Sequence, residues 1–420
     1  MGLLAPAGRP DHPGREQAVT LRTLDDLGDV ADTRVFVRVD YNVPLDGGKV
    51  ADDSRIQASL PTLRELLSAG ASLVLASHLG RPKGKVDEGA RMAPVAERLA
   101  ELIGGAVGYE PTDVVVDDSV ERRCAELRPG EIVMLENLRF DPGEEANDQG
   151  FAERLARLGE AYVDDAFGAV HRAHASVAAL PALFLEQGRP AAAGRLLQRE
   201  VEALSKLLGE PARPYVAVLG GAKVSDKLST VEALVGRVDA LLIGGAMAFT
   251  FIAAQGGEIG KSLVEPDRFD EVLAARKRAD GRGIVIQLPE DAVAAPEPTL
   301  DAPRTTVPAS RIPRELMGLD IGPRTVEEFA MTIAEAKTIL WNGPMGVFEL
   351  EPFSAGTRGV ATAIAGSSAY SVAGGGDSLL AVKRFGLGEG FDHLSTGGGA
   401  SLEFLEGREL PGVKVLEDEG

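Results

Sequence analysis

Arginine recurs in this sequence at one kind of place, immediately beyond a short apolar run. Arg38 leads into Asp40, Tyr41 and Asn42, and Arg55 follows a turn at Asp46-Gly47-Gly48. His78, Leu79, Gly80 and Arg81 stand after the run 72–76 and Arg139 after the run 132–135, while the run 161–163 leads through Phe167 and Gly168 to His171, Arg172 and His174. A guanidinium is a planar fork of donors that stays charged, which suits it to a small, multiply charged anion. The formal net charge is −20, so any anion must be met by a local concentration of cations, and this placement supplies one. Asp40 and Asn42 are short polar groups that can orient the arginines and bind a sugar-like oxygen. His171 and His174 lack the companion glutamate of a zinc helix and have no cysteine beside them, which argues against a metal there.

The second half of the chain closes its apolar runs with glycine instead. The run 215–219 gives Gly220-Gly221-Ala222-Lys223, read as a glycine turn leading straight into a helix start, with Lys227 four residues on; 240–243 gives Gly244-Gly245-Ala246-Met247; 338–340 gives Trp341-Asn342-Gly343-Pro344. Two further runs end in Gly374-Gly375-Gly376-Asp377-Ser378 and in Thr396-Gly397-Gly398-Gly399. Glycine lets a ligand approach the backbone, and unpaired N–H groups at a helix start attract phosphate, so a glycine-paved floor fits a nucleotide. The lysine spacing is not that of a P-loop. Asp377 is read either as an oxygen ligand for a phosphate-bound magnesium ion or as the cap of the helix that follows. Trp341 stays open between core and base platform, and Glu349 between surface acid and ribose acceptor.

These residues need elements to hold them. Short apolar runs at 35–39, 72–76, 114–116, 132–135 and 161–163 alternate with helical spacing such as Leu60 to Leu67 and Phe151 to Leu158, the pattern of a parallel sheet wrapped by helices. Ligands of such sheets bind beyond the carboxyl ends of the strands, where the arginines and glycines lie. After a break at Pro181 to Pro190, residues 191–208 read as one helix connecting two domains, and the architecture then repeats. A chain of 420 residues, 44% apolar, supports two cores of ordinary size. Its acidity disfavours nucleic acid and anionic membranes as partners. No run approaches the roughly 18 apolar residues of a membrane span, and the N-terminus lacks a signal pattern. The single cysteine, Cys124, excludes an internal disulfide, fits a reducing compartment and reads as apolar filler. A cytoplasmic enzyme is expected, with residues 1–18 a disordered leader.

Several of these stretches, taken in order, resemble one family. Arg-Val-Asp-Tyr-Asn-Val-Pro at 38–44, Ser-His-Leu-Gly-Arg-Pro at 77–82, Glu-Asn-Leu-Arg-Phe at 136–140 and Ala-Phe-Gly-Ala-Val-His-Arg-Ala-His at 166–174 are similar to phosphoglycerate kinases. So are Leu-Gly-Gly-Ala-Lys-Val at 219–224, Trp-Asn-Gly-Pro-Met-Gly-Val-Phe-Glu at 341–349 and Ser-Thr-Gly-Gly-Gly-Ala-Ser at 395–401. The resemblance implies an α/β chain of two doubly wound, Rossmann-like domains: 19–190 for the acid, a hinge helix 191–208, 209–404 for the nucleotide, and a segment 405–420 returning to the first domain. It implies reversible phosphoryl transfer between 1,3-bisphosphoglycerate and MgADP by a monomer, giving 3-phosphoglycerate and MgATP.

Carried over by position, Asp40, Tyr41, Asn42, Arg55, His78, Leu79, Gly80, Arg81, Arg139 and Arg172 match the acid site. Gly221, Ala222, Lys227, Gly245, Gly318, Asn342, Glu349, Gly375, Gly376, Asp377 and Ser378 match the nucleotide site, with Asp377 toward Mg2+. Arg55, Lys223, Gly398 and Gly399 match the groups that meet the moving phosphoryl. Tyr41 stands where Phe is common, and Glu290 interrupts a loop that is usually apolar, which bears on nucleotide preference. Two other readings are a kinase of a different phosphorylated acid, which would alter the arginine set, and a scaffold without catalysis, which would have lost Lys223, Arg55 or Asp377.

Overall fold

The computed structural model describes residues 19–418; the leader expected at 1–18 lies outside them. Two six-stranded parallel sheets carry the chain. The first contains β1 (Arg34–Val39), β2 (Ser72–Ala76), β3 (Val107–Gly108), β4 (Ile132–Met134), β5 (Ala161–Asp165) and β6 (Ala191–Ala193), in the order β3-β4-β2-β1-β5-β6. The second contains β7 (Tyr215–Leu219), β8 (Ala240–Ile243), β9 (Val285–Gln287), β10 (Thr338–Asn342), β11 (Tyr370–Gly374) and β12 (His393–Ser395), in the order β9-β8-β7-β10-β11-β12. The central strands are largely apolar because helices cover both faces of the sheet, with Arg38 in β1 and Asp164-Asp165 at the end of β5 as charged exceptions. In β1, Phe36 packs into one core while Val35, Val37 and Val39 point into the other.

The strand order fixes where a ligand can sit. From β1 the chain moves outward to β2, β3 and β4, then returns to the other side of β1 as β5; from β7 it moves to β8 and β9, then returns as β10. The crevices where the winding reverses therefore lie at β1/β5 and β7/β10, beyond the strands' carboxyl ends.

Three expectations are corrected. Val114 to Val116 form no strand; the edge position belongs to Val107–Gly108, and Val114 is exposed. Residues 191–193 are strand, not the first turn of a helix, since they pair with Tyr162–Asp164. The connecting helix, α2, is Arg195–Leu208. Finally, no helix follows Gly221 directly: the next one begins at Leu228, leaving Lys223 in an irregular loop and Lys227 at its cap position. A small antiparallel sheet of Asp291–Ala295, Thr305–Pro308 and Met317–Ile321, not anticipated from the sequence, sits beside the second parallel sheet.

The start of α2 is set from below. Asp165, the last residue of β5, accepts the N–H of Leu196 at 2.8 Å, and Gly194 leaves room for that carboxylate where a β-carbon would overlap it. Apolar residues of α2, Leu197, Val201 and Leu204, belong to one core that takes in Phe36 and Tyr162 on one side and Leu219 and Leu241 on the other. The tail closes back on the start: the Arg22 N–H donates to the Leu416 carbonyl at 2.9 Å, and the Asp418 N–H to that of Thr20 at 2.8 Å. Cys124 is buried, and burial pushes its thiol up to about 11. Among the described residues no helix is long and apolar enough to cross a membrane.

Candidate active site

At the β1/β5 crevice the loops after both strands touch. Asp40 is ion-paired with Arg55, the second residue of α1 (Ser54–Ser68). Gly168, in the turn after β5, passes so close beneath the pair that a β-carbon there would overlap the Asp40 carboxylate. Asn42 Oδ1 accepts the Gly80 N–H at 2.9 Å, and Arg139 donates to the Gly80 carbonyl at 2.8 Å, so three strand ends are stitched together. His78 is buried with Nδ1 3.0 Å from the Arg38 guanidinium. Burial, then the charges of Arg38, Arg139 and Arg55, hold its pKa well below 6.5. Arg81 and Arg172 are exposed and have no ion-pair partner among the described residues. The result is a floor of fixed cations with two further arginines at its rim.

Tyr41 and Leu79 stand apart from the others. The Tyr41 ring is buried in the core, its hydroxyl 2.6 Å from Ser59 Oγ, and the Leu79 side chain is core as well, so only their backbones face this loop cluster. Arg38, expected from the sequence among the strand-end arginines that meet an anion, is instead fully buried within β1, where with Ser176 and Glu144, to which sequence reasoning assigned no role, it forms a buried polar group beneath the floor. A signal existed for Arg38: an arginine within a strand covered on both faces must find its partners inside the protein.

At the β7/β10 crevice backbone meets backbone. The Gly221 N–H donates to the Pro344 carbonyl at 3.0 Å and the Gly245 N–H to that of Met345 at 3.0 Å, and β-carbons on Gly220, Gly244, Gly245 or Gly343 would overlap neighbouring chain. Lys227 Nζ reaches Asn342 Oδ1, and burial lowers the lysine to about 8 against the pull of Asp377. Ser378 Oγ accepts the Gly343 N–H at 2.7 Å, which ties this loop to the start of helix α3 (Gly376–Phe385). Gly375, with φ +91°, is the cap position of that helix. Asp377 makes no capping bond and stands exposed in the first turn, which removes the cap reading.

Among the described residues no group of three or more His, Cys, Asp or Glu could hold an ion by itself. A lone carboxylate beside unpaired helix N–H groups fits a magnesium ion that brings its own phosphate and water ligands. Lys223 and Ala222 are exposed on the loop between. Glu349 is exposed, and Trp341 is fully buried with Nε1–H on the Gly343 carbonyl at 2.9 Å, hence core. Gly318 lies in the antiparallel sheet, its N–H on Ser262 Oγ at 2.9 Å and the Phe249 ring against it. Glu290 pairs with Arg324 at 2.5 Å on the surface.

The two crevices are linked. Gly397 packs against the Phe167 ring, and Gly398 (φ +55°) and Gly399 follow with open space where side chains would be. Buried Glu200 of α2 accepts the N–H of Thr396 at 2.7 Å and its hydroxyl at 2.9 Å, and lies 2.8 Å from His393 Nε2. Lys383 of α3 reaches Asp52, just before α1, at 2.8 Å. One crevice thus offers fixed cations, the other bare backbone and a single carboxylate, with a glycine loop between them.

The family model for phosphoglycerate kinase matches residues 24–408. The chain belongs to the phosphoglycerate kinase family. The phosphoglycerate kinase of Salinispora tropica is 54% identical over 408 residues, 95% of this chain and all of that one. That of Thermus thermophilus is 55% identical over 400 residues, 94% of this chain and all of that one. The structure of phosphoglycerate kinase from Coxiella burnetii superimposes with a TM-score of 0.84 at 40% identity, covering 94% of this chain and 98% of the other. The cationic and glycine-lined crevices of this phosphoglycerate kinase family member are thus set in the fold of a phosphotransferase.

Proposed function

We propose that this chain catalyses reversible phosphoryl transfer between 1,3-bisphosphoglycerate and MgADP, giving 3-phosphoglycerate and MgATP, in the cytoplasm and as a monomer. The observation that carries the reading is the pair of opposed crevices, one built on Asp40, Arg55, His78 and Arg139, the other on Gly221, Lys227, Asn342 and Asp377.

The acid site comprises Asp40, Asn42, Arg55, His78, Gly80, Arg81, Arg139 and Arg172, with the backbones of Tyr41 and Leu79. The nucleotide lies over Gly221, Ala222, Gly245, Gly318, Glu349 and the start of α3, its phosphates near Lys227, Gly375, Gly376 and Ser378. Asp377 holds the magnesium ion that arrives with the phosphates and offsets their charge.

The acceptor is a carboxylate, already ionised at neutral pH, so no general base has to remove a proton. What remains is alignment and charge. Arg55, Lys223 and the N–H groups of Gly398 and Gly399 meet the charge that spreads over the moving phosphoryl oxygens. The two units, 19–194 and 209–404, close about α2 to bring donor and acceptor in line and to exclude water from the acyl phosphate. A coupled assay with MgATP and 3-phosphoglycerate, run beside ADP and GTP controls, tests the proposal. Turnover with ATP is expected; a purified, folded protein inactive with MgATP and 3-phosphoglycerate overturns it.

A further inference from the structure

Arg38 lies at the next-to-last position of β1 and is fully buried. Its three nitrogens have separate partners: Nε–H donates to Ser176 Oγ at 2.9 Å, one amino group to the Val39 carbonyl, and the other to His78 Nδ1 at 3.0 Å. Ser176, in the wide turn Ala175–Ala179, donates its hydroxyl to Glu144 Oε1 at 2.6 Å and its backbone N–H to Glu144 Oε2 at 2.9 Å. Glu144 is fully buried on the short helix Pro142–Glu145. Tyr162 fixes the turn from the other side, its hydroxyl on the Ser176 carbonyl at 2.8 Å.

This chain of bonds has a direction. A guanidinium has no lone pair to offer and does not lose its proton, so the atom it faces on an imidazole must be an acceptor. Nδ1 of His78 is therefore bare, and in the neutral ring the proton sits on Nε2. Nε2 has no partner among the described residues. We propose that Glu144 and Ser176 are positioning residues: through Arg38 they lock His78 as the Nε2–H tautomer, a neutral donor kept ready for an anionic oxygen of the bound acid. The identity of that acid rests on the function proposed above; the tautomer lock does not.

Burial and the nearby Arg38, Arg139 and Arg55 keep the ring neutral, in accord with a donor fixed by hydrogen bonding and not by charge. Burial raises the Glu144 carboxyl while the charge of Arg38 works against that rise, so the two groups are linked across Ser176.

The test joins spectroscopy to kinetics on the full-length protein. With 15N-histidine labelling, the signals of His78, assigned by their loss in His78→Gln, are expected to show a protonated Nε2 and a bare Nδ1. Ser176→Ala removes the acceptor for Arg38 Nε, and Glu144→Gln removes the charge beneath it. Either is expected to mix the two tautomers and to raise KM for 3-phosphoglycerate about tenfold, the scale of one charge-assisted hydrogen bond, while KM for MgATP stays within about twofold. Ser176→Thr, which keeps the hydroxyl, is expected to restore both readouts. A proton on Nδ1 in the unaltered protein overturns the proposal. So does a folded Ser176→Ala with unchanged His78 signals. Should the unaltered protein fail to use 3-phosphoglycerate, the assigned function falls, and the nitrogen signals alone decide the lock.

Discussion

Gly168 lies so close under Asp40 and Arg55 that a methyl group there must displace the carboxylate. Gly168→Ala is expected to raise KM for 3-phosphoglycerate at least about tenfold by misplacing the pair, with KM for MgATP unchanged, in steady-state assays. Arg55 and Lys223 stand on opposite sides of the proposed transfer. Either one replaced by Ala is expected to lower turnover by at least about a hundredfold while nucleotide affinity, read by calorimetry, is largely kept. His174 gives a signed pH effect. Burial and the charges of Arg139, Arg38 and Arg172 push it from 6.5 down to about 4, so the unfolded chain binds its proton first. The stability it contributes is fully present above pH 6.5 and is lost as pH falls from there toward 4. Urea unfolding at pH 7 and pH 5 should show a smaller loss in His174→Gln than in the unaltered protein. At this scale the sequence was most legible where side chains are charged and exposed, as at Arg81, Arg172 and Asp377. It was least legible where contacts come from afar: nothing near Tyr41 says that Ser59 takes its hydroxyl, and nothing near Arg38 says that Glu144 lies beneath it.

Among the elements, α2 depends on a residue outside itself. Asp165 caps it from β5, with Oδ1 on the Leu196 N–H at 2.8 Å, and burial raises this carboxyl to about 7. Asp165→Ala is expected to lower stability by about 1–2 kcal/mol in urea unfolding, and Asp165→Asn, which keeps an acceptor, by less. Long buried strands such as β1, β2, β7 and β10 were plain in the sequence because each is a mostly apolar run between turns, interrupted in β1 by Arg38. The failures share a cause. Ala191-Ala192-Ala193 has high helical propensity and the spacing beyond it is helical, yet pairing with β5 decides its conformation. Val107–Gly108 is too short to show any period, and β-branched Val114 to Val116 looked better on propensity alone. The antiparallel strands between Asp291 and Ile321 are broken by proline and glycine, which hides their alternation.

Over the whole molecule, the Lys383–Asp52 ion pair is a direct bridge between α3 and the approach to α1. Lys383→Glu puts like charges across that gap and is expected to enlarge the radius of gyration in X-ray scattering at low salt, with the difference shrinking as salt is added. Lys383 holds Asp52 down to about 2, from 3.8. The bridge is therefore intact above about pH 4 and is lost only as pH falls from there toward 2. The repeated sheet and the connecting helix were legible in the sequence; contacts such as this one, between residues 331 positions apart, were not.

The sole thiol, that of Cys124, is sealed in the interior with its ionisation suppressed. Thiol-directed oxidants and electrophiles act on exposed thiolates, so Cys124 offers them no ready target. An optical ruler follows without further engineering: cysteines introduced singly on either side of the cleft become the only reactive handles for thiol-directed dyes, and energy transfer between them can test the proposed closure of the halves during turnover.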